Sequence, residues 1–210
     1  MKILPALVML GALIVSQARA EETTVLVAFG DSLTAGYGLV PEEAFPVQLE
    51  SRLKKDGYNV SVINQGISGD TSAGGAARLD EVFRKNPYMV IIELGGNDLL
   101  RGLPIADTNM YLSVIMKRLS NAHIKMVLTG QVAPMTLGNK YATAYNNMFP
   151  ELAKTYKAIL YPNFLENAFG VPGMMQQDGI HPTKEGVAVI VSGITPLIER
   201  QLNVDHPPKR

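Results

Sequence analysis

A serine, Ser32, stands after a short apolar run and two turn-forming residues. The run Val25–Phe29 is continuous, which predicts a buried strand, and Gly30-Asp31 breaks it as turn residues do. If a helix begins at Ser32, its first backbone N–H groups have no partner inside the helix. An exposed hydroxyl beside free donors suits a nucleophile for acyl transfer, because the donors stabilise the developing oxyanion. The same residues are also compatible with an ordinary turn in which serine caps a helix.

Three histidines, His123, His181 and His206, could supply the base that a serine nucleophile needs. His123 lies near the end of a predicted helix and His206 lies in the tail, whereas His181 sits in a polar loop just before a helix. Asp178 precedes His181 by three residues, with Gly179 between them. One turn of chain could bring the Asp178 carboxylate to the imidazole Nδ1–H and fix its tautomer. The alternatives are a loop histidine and a plain Asp-Gly turn.

Three groups could donate to an oxyanion: the backbone N–H of Ser32, the backbone N–H of Gly69 and the side-chain amide of Asn97. Glycine allows the backbone to approach a substrate closely. An aspartate could not replace Asn97 in this role, because an ionised carboxylate has no proton to donate. The alternative for Gly95-Gly96-Asn97 is a tight turn.

The segment that follows Gly69 is rich in small residues and contains the pair Gly74-Gly75. Two glycines weaken the start of the predicted helix that carries Leu79 and Phe83. We hypothesise that this segment is a mobile lip that shifts when a long acyl chain enters. The alternative is a loose helix start with no role in substrate choice.

The rest of the chain alternates between short apolar runs and segments with helical spacing. Alternation of this kind predicts a parallel sheet covered by helices on both faces, and continuous apolar runs are typical of strands buried on both sides. Ligands bind beyond the carboxyl ends of such strands, so the polar groups after the strands should converge at one edge. The predicted strands are Val25–Phe29, Val60–Ile63, Met89–Leu94, Met126–Thr129 and Ile159–Tyr161.

Length and composition indicate one globular domain. The chain has 210 residues, of which 47% are hydrophobic and 18% charged, so it has enough apolar residues for a core and is not of the disordered class. It contains no cysteine, which excludes disulfides, thiolate metal sites and a cysteine nucleophile.

The first twenty residues have the pattern of a secretory signal peptide. Lys2 gives a positive start, Ile3–Val15 is almost wholly apolar, and Ala18-Arg19-Ala20 is a small-x-small cleavage signal. The apolar run is shorter than the roughly 20 residues that span a bilayer. We therefore predict cleavage after Ala20, a domain over residues 21–204, a frayed tail over 205–210, and a soluble periplasmic or secreted protein. Losing Lys2 and Arg19 leaves 17 basic and 19 acidic side chains, which disfavours nucleic acid as a partner.

Four blocks together resemble the SGNH, or GDSL, hydrolase family, in the family's order and over residues 23–202. The residues in and around these blocks resemble those of one branch, the periplasmic thioesterase I / lysophospholipase / arylesterase group of Gram-negative bacteria. The blocks are Gly30-Asp31-Ser32-Leu33, Gly69, Gly95-Gly96-Asn97-Asp98 and Asp178-Gly179-Ile180-His181-Pro182.

The resemblance implies a flavodoxin-like three-layer α/β/α sandwich with a five-stranded parallel sheet. It implies Ser32 as nucleophile, His181 as base and Asp178 as the acid that orients it. It implies Ser32, Gly69 and Asn97 as the oxyanion hole, with no metal and no organic cofactor. The substrates expected from it are acyl esters, acyl thioesters and lysophospholipids, hydrolysed by a monomer without a membrane anchor.

Three other functions fit parts of the pattern. A carbohydrate O-acetyl esterase is disfavoured because sugar sites usually offer aromatic platforms, and the chain has no tryptophan and only 7% aromatic residues. A non-catalytic binding domain on the same fold would have one block broken, and none is. A phosphate or flavin binder of the flavodoxin type would give no role to Asn97, Asp178 or His181.

Overall fold

The computed structural model describes residues 23–208. Its centre is a sheet of five parallel strands in the order β2-β1-β3-β4-β5, which is the flavodoxin-like order. The predicted α/β class and the five-stranded parallel sheet are therefore confirmed. The strands are β1 (Thr24–Gly30), β2 (Val60–Gly66), β3 (Met89–Glu93), β4 (Lys125–Thr129) and β5 (Ile159–Tyr161).

Helices cover both faces of the sheet. One face packs against α2 and α7, and the other against α3, α5 and α6. Two short helices, α1 and α4, directly follow β1 and β3 at the carboxyl edge. The helices are α1 (Ser32–Ala35), α2 (Phe45–Lys55), α3 (Ser72–Phe83), α4 (Gly96–Leu100), α5 (Ile105–Asn121), α6 (Asn139–Tyr156) and α7 (Lys184–Asp205), with single 3₁₀ turns at Pro41–Glu43 and Met135–Leu137.

The core forms two apolar layers, one on each face of the sheet. Alternate residues of β1 point to opposite layers, with Leu26 and Ala28 on the α2/α7 side and Val27 and Phe29 on the α3/α5/α6 side. All four side chains are buried. A strand buried on both faces must be apolar throughout, which is why the predicted strands lack polar alternation.

Strand β2 is longer than the sequence predicts. It continues beyond Ile63 to Gly66, because Phe29 and Gly30 of β1 offer it partners, opposite Gln65 and Gly66. Gly66 also lies so close to α1 that a Cβ would be 2.3 Å from the backbone nitrogen of Ala35. Pairing with a neighbouring strand thus extends β2 over residues whose own composition indicates a turn.

The predicted domain limits fall near the ends of the described chain. The predicted signal peptide, residues 1–20, lies outside the described residues. Helix α7 passes through Pro196 and ends at Asp205, whose carboxylate accepts a 2.7 Å hydrogen bond from Tyr88. Within residues 23–208 no helix has the length and apolar character needed to cross a bilayer.

Candidate active site

A continuous hydrogen-bonded chain joins three predicted site residues at the carboxyl edge of the sheet. The Oγ of Ser32 lies 2.8 Å from His181 Nε2, and His181 Nδ1 lies 2.6 Å from Asp178 Oδ2. Ser32 and His181 are 149 residues apart in the chain. The order hydroxyl, imidazole, carboxylate is the arrangement by which an imidazole withdraws a proton from a serine during acyl transfer.

The carboxylate of Asp178 is fixed by its own loop. Its Oδ1 accepts hydrogen bonds from the backbone N–H groups of Ile180 at 2.9 Å and His181 at 3.0 Å. Gly179 lies between them with a φ of +68°, a conformation that favours glycine. The hydrogen bond from the His181 side chain, with these backbone N–H groups, lowers the pKa of Asp178 to about 2. Asp178 therefore stays ionised and can stabilise the imidazolium that forms during catalysis.

Two further residues hold His181 in place. The ring of Tyr37 lies against the imidazole with its centroid 4.5 Å away. Gln176 binds the backbone around His181. Its backbone N–H donates to the carbonyl of His181, and its side-chain amide donates to the carbonyls of Tyr37 and Pro182. The loop that carries His181 is thus tied to the loop after α1.

Asn97 lies in the first turn of α4, next to the end of β1. Gly95, with a φ of +112°, precedes this helix, so the sequence Gly95-Gly96-Asn97 forms a helix start and not only a tight turn. The side-chain Nδ2 of Asn97 donates to Asp31 Oδ2 at 2.9 Å. One of the two amide hydrogens is used in this bond, which leaves the other for an oxyanion.

A buried carboxyl group, Glu93, lies under the turn that carries Ser32. It accepts hydrogen bonds from Thr34 Oγ1 at 2.8 Å, from Gln131 Nε2 at 2.7 Å and from the backbone N–H of Asp31 at 3.3 Å. Glu93 is completely buried. Gly30 makes this packing possible, because a Cβ there would be 2.6 Å from Glu93 Oε2.

The loop of Gly69 is tied to α4 by a second buried carboxylate. Gly69 has a φ of +83°, and its carbonyl accepts a hydrogen bond from Arg101. Asp98 accepts from the backbone N–H of Ser72 at 2.9 Å, from its hydroxyl at 2.5 Å and from Thr108 Oγ1 at 3.3 Å. These bonds fix the loop after β2 relative to Asn97, so the three predicted oxyanion donors lie on elements that are joined to one another.

A cavity of about 270 Å³ opens beside Ser32 and His181. Its polar lining includes Asp31, Asn97 and Gln131, and its apolar side chains come from α1, α4 and the loops after β4 and β5. The apolar lining residues are Leu33, Leu99, Leu100, Val132, Pro134, Leu165, Phe169 and Ile180. Phe169 and Leu100 are each 66% exposed, so the apolar surface extends from the cavity to its rim.

The remaining predicted residues lie elsewhere. Gly74 and Gly75 are in the first turn of α3 and do not line this cavity. Gly75 is packed into the core, where a Cβ would be 2.4 Å from Leu94 Cδ1. His123 follows α5, and His206 packs its ring on Tyr88 at the opposite end of the chain's last helix. The mobile-lip hypothesis stays a prediction.

Sequence analysis missed the polar residues that support the site: Asp31, Glu93, Gln131 and Tyr37. The sequence around Asp31 predicts a turn, although an acidic residue before a helix is also a capping signal. Glu93 gave a clear signal, since a carboxyl group at the end of an apolar strand is buried only when it has partners. Within residues 23–208 no group of three His, Asp or Glu side chains is placed to hold a metal ion.

Comparison with known proteins gives consistent matches over most of the chain. The GDSL-like Lipase/Acylhydrolase family matches residues 28–189. Esterase TesA of Pseudomonas aeruginosa is 38% identical over 189 residues, which cover 90% of this chain and 94% of that protein. Thioesterase 1/protease 1/lysophospholipase L1 of Escherichia coli is 35% identical over 188 residues, 89% of each chain.

A solved structure shows the same architecture. The psychrotrophic esterase EstA from Pseudoalteromonas sp., in a form inhibited by monoethylphosphonate, superposes with a TM-score of 0.80 at 30% sequence identity, covering 86% of this chain and 99% of its own. The fold and the matches together define a hydrolase of the flavodoxin-like α/β class. The chain belongs to the GDSL-like lipase/acylhydrolase family, the SGNH hydrolases, and is a serine ester hydrolase.

Proposed function

We propose that Ser32 is the nucleophile, with His181 as general base and Asp178 as the group that orients it. The Ser32 Oγ attacks the carbonyl carbon of the ester while His181 Nε2 takes the hydroxyl proton. His181 then returns this proton to the departing alcohol or thiol, which leaves an acyl-enzyme on Ser32. In the second half-reaction, water attacks the acyl-enzyme while His181 takes a proton from the water and then returns it to Ser32 Oγ, which releases the carboxylic acid. The observation that carries this proposal is the 2.8 Å contact between Ser32 and His181.

The backbone N–H groups of Ser32 and Gly69 and the amide of Asn97 are proposed to hold the oxyanion. The hydrogen bond from Asn97 to Asp31 at 2.9 Å supports this role, because it fixes the plane of the amide. Donors of this kind act on the charge that develops in the transition state. Asn97→Asp should be at least as damaging as Asn97→Ala, because it places a second carboxylate against both Asp31 and the oxyanion.

The proposed substrates are acyl esters with an apolar acyl group, including aryl esters, acyl thioesters and lysophospholipids. Support comes from the apolar lining of the cavity, for example Leu165, Phe169 and Ile180 beside His181. A sugar O-acetyl esterase would need polar groups at these positions to bond the sugar hydroxyls, and these three side chains have none. Two relatives carry the names esterase and thioesterase/lysophospholipase, which agrees with this substrate class.

A phosphonate ester labels the nucleophile and so tests the proposal directly. Ser32→Ala should remove turnover, with a loss on the order of 10⁶ by analogy with serine proteases, and should leave the circular dichroism spectrum unchanged. Mass spectrometry of the labelled wild-type protein should place the phosphonate on Ser32. Labelling of the nearby Ser68 or Ser72 would show that the assignment is wrong, and Ser68→Ala is the matched control that should keep its activity.

Initial rates on p-nitrophenyl esters of increasing acyl length, with palmitoyl-CoA and lysophosphatidylcholine, test the substrate class. Replacing Phe169 with alanine removes part of the apolar rim and should lower kcat/KM for long acyl chains more than for acetate. Equal losses of kcat/KM for all acyl lengths would mean that the acyl chain does not contact Phe169. Phe83→Ala is not a suitable control, because Phe83 is partly buried and packs under Arg118 of α5.

We further propose that the enzyme is exported to the periplasm or beyond as a monomer. The support is the pattern of residues 1–20, whose cleavage signal ends at Ala20. N-terminal sequencing of protein recovered from a periplasmic extract should begin at Glu21, and sedimentation should give the mass of one chain. An intact Met1 in membrane fractions would contradict export in soluble form.

A further inference from the structure

The amide of Asn97 needs a partner to set its direction. Terminal amide torsions are soft and broadly distributed, so packing alone does not decide which hydrogen faces the substrate. In this structure the Nδ2 of Asn97 donates one of its hydrogens to Asp31 Oδ2, at a distance of 2.9 Å. The direction of the second hydrogen is therefore set by the position of the Asp31 carboxylate.

Asp31 is itself held on both sides. Its Oδ1 accepts the backbone N–H of Leu33 at 3.0 Å, and its own N–H donates to Glu93 Oε2 at 3.3 Å. The side chain is 2% exposed, so water does not compete for these bonds. One carboxylate oxygen of Asp31 thus caps the helix that carries Ser32, and the other accepts the hydrogen bond from Asn97.

Glu93 completes this arrangement from below. It is fully buried and is fixed by Thr34 and Gln131, at 2.8 and 2.7 Å. Burial, with the neighbouring Asp31 carboxylate, raises the pKa of Glu93 well above its ordinary value. Burial also raises the pKa of Asp31, while the backbone N–H of Leu33 and the Asn97 amide stabilise its charged form.

We propose that Asp31 and Glu93 are a pair of positioning residues for the oxyanion hole: Glu93 fixes Asp31, and Asp31 turns the Asn97 amide toward the reacting carbonyl oxygen. Neither carboxyl group touches the substrate. This inference rests on the proposed role of Asn97 as an oxyanion donor.

A double-mutant cycle between Asp31 and Asn97 separates positioning from a merely structural role. Asp31→Asn keeps an oxygen for the Leu33 N–H but turns an NH₂ group toward the NH₂ group of Asn97. We expect kcat to fall about 10- to 100-fold with KM unchanged, as for a displaced catalytic group. In the Asn97→Ala background the same change should cost less than about twofold, because residues that act through one another are not additive.

Asp98→Asn is the matched control. Asp98 is equally buried and adjacent in sequence, but its carboxylate bonds Ser72 and Thr108 and not the Asn97 amide. Its loss of kcat should be the same factor in both backgrounds. If Asp31→Asn behaves as Asp98→Asn does, and costs the same factor with and without Asn97, the positioning role is overturned.

The Glu93 arm is tested with a conservative and a disruptive change. Glu93→Gln has nearly the same shape and keeps an acceptor oxygen, so it should retain kcat within about threefold. Glu93→Leu leaves Asp31 unsupported, and its kcat loss should vanish in the Asn97→Ala background. Should Glu93→Leu fail to fold, Thr34→Val answers the same question, since it removes a bond that holds Glu93 and leaves the Asp31–Asn97 bond in place, and its kcat loss should likewise vanish in the Asn97→Ala background.

The same data separate this inference from the proposed function. If Asn97→Ala leaves kcat unchanged, the oxyanion role of Asn97 fails and the positioning role fails with it. If Asn97→Ala lowers kcat and the Asp31 effect is additive, only the positioning role fails.

Discussion

At the scale of single residues, the protonation state of His181 should control the rate. A base must be neutral to accept the Ser32 proton. Asp178 does not titrate in the working range, because the hydrogen bonds from His181 and the backbone hold its pKa at about 2. We therefore expect kcat/KM to rise with pH as the general base becomes neutral, and then to level off.

Two variants check this pH profile. His181→Ala should reduce activity to background and flatten the profile, whereas His123→Ala should leave both unchanged, because His123 lies beyond α5 and away from the site. If the two variants behaved in the opposite way, the assignment of the base would have to be abandoned. A second acidic titration in the wild-type profile would mean that another carboxyl group is essential.

At the scale of elements, substitutions at the start of α3 test whether its glycines serve close packing or mobility. A Cβ at Gly75 would be 2.4 Å from Leu94 Cδ1, and Leu94 is fully buried. We expect Gly75→Ala to reduce the free energy of unfolding by about 1–3 kcal/mol, the usual range for overpacking a core. Urea denaturation measures this change, and Ala77→Gly on the same helix controls for helix propensity, with an expected loss of about 1 kcal/mol.

The mobile-lip hypothesis makes a separate prediction for the same helix start. If the segment shifts when a long acyl chain enters, Gly74→Ala and Gly75→Ala should change long-chain rates more than acetyl-ester rates. A Cβ at Gly74 would also press on Asp70, which pairs with Arg78 at 2.6 Å, so rates are compared as ratios within each variant. Equal proportional changes at every chain length would leave the glycines with a packing role alone.

At the scale of the whole molecule, Glu93 should make stability depend on pH. Burial and the Asp31 charge raise its pKa in the folded state, so the folded protein binds more protons than the unfolded chain above the ordinary glutamate range of about 4.3. The contribution of Glu93 to the free energy of unfolding is then fully present below that range and is lost as pH rises toward the folded-state pKa.

Glu93→Gln removes this titration and should flatten the fall in stability above the ordinary glutamate range. Denaturation midpoints measured at several pH values provide the comparison. Asp80→Asn is a useful contrast, because the hydrogen bond from Arg118 lowers the pKa of Asp80. That stabilisation is present above the ordinary carboxyl range and is lost only as pH falls, so Asp80→Asn should leave the slope above pH 5 unchanged.

The class of fold and the five apolar strands can be predicted from the amino-acid sequence. Continuous runs such as Val25–Phe29 can be satisfied only by burial on both faces, and alternating helical segments then require a parallel sheet. Four short blocks in family order pointed to Ser32, Asn97, Asp178 and His181 before any contact was known. The family and the ester hydrolase activity were likewise evident at this level.

The polar groups that support the site become evident only from the three-dimensional arrangement of the chain. The extension of β2 to Gly66 depends on pairing with β1, and the burial of Glu93 depends on Thr34 and Gln131 arriving from elements 59 and 38 residues away. Local propensity does not contain this information, because the burial and the hydrogen-bond partners of a carboxyl group depend on residues that are distant in the sequence. The same reason explains why Gly75, which resembles a flexible hinge in the sequence, proves to be a point of close packing against Leu94.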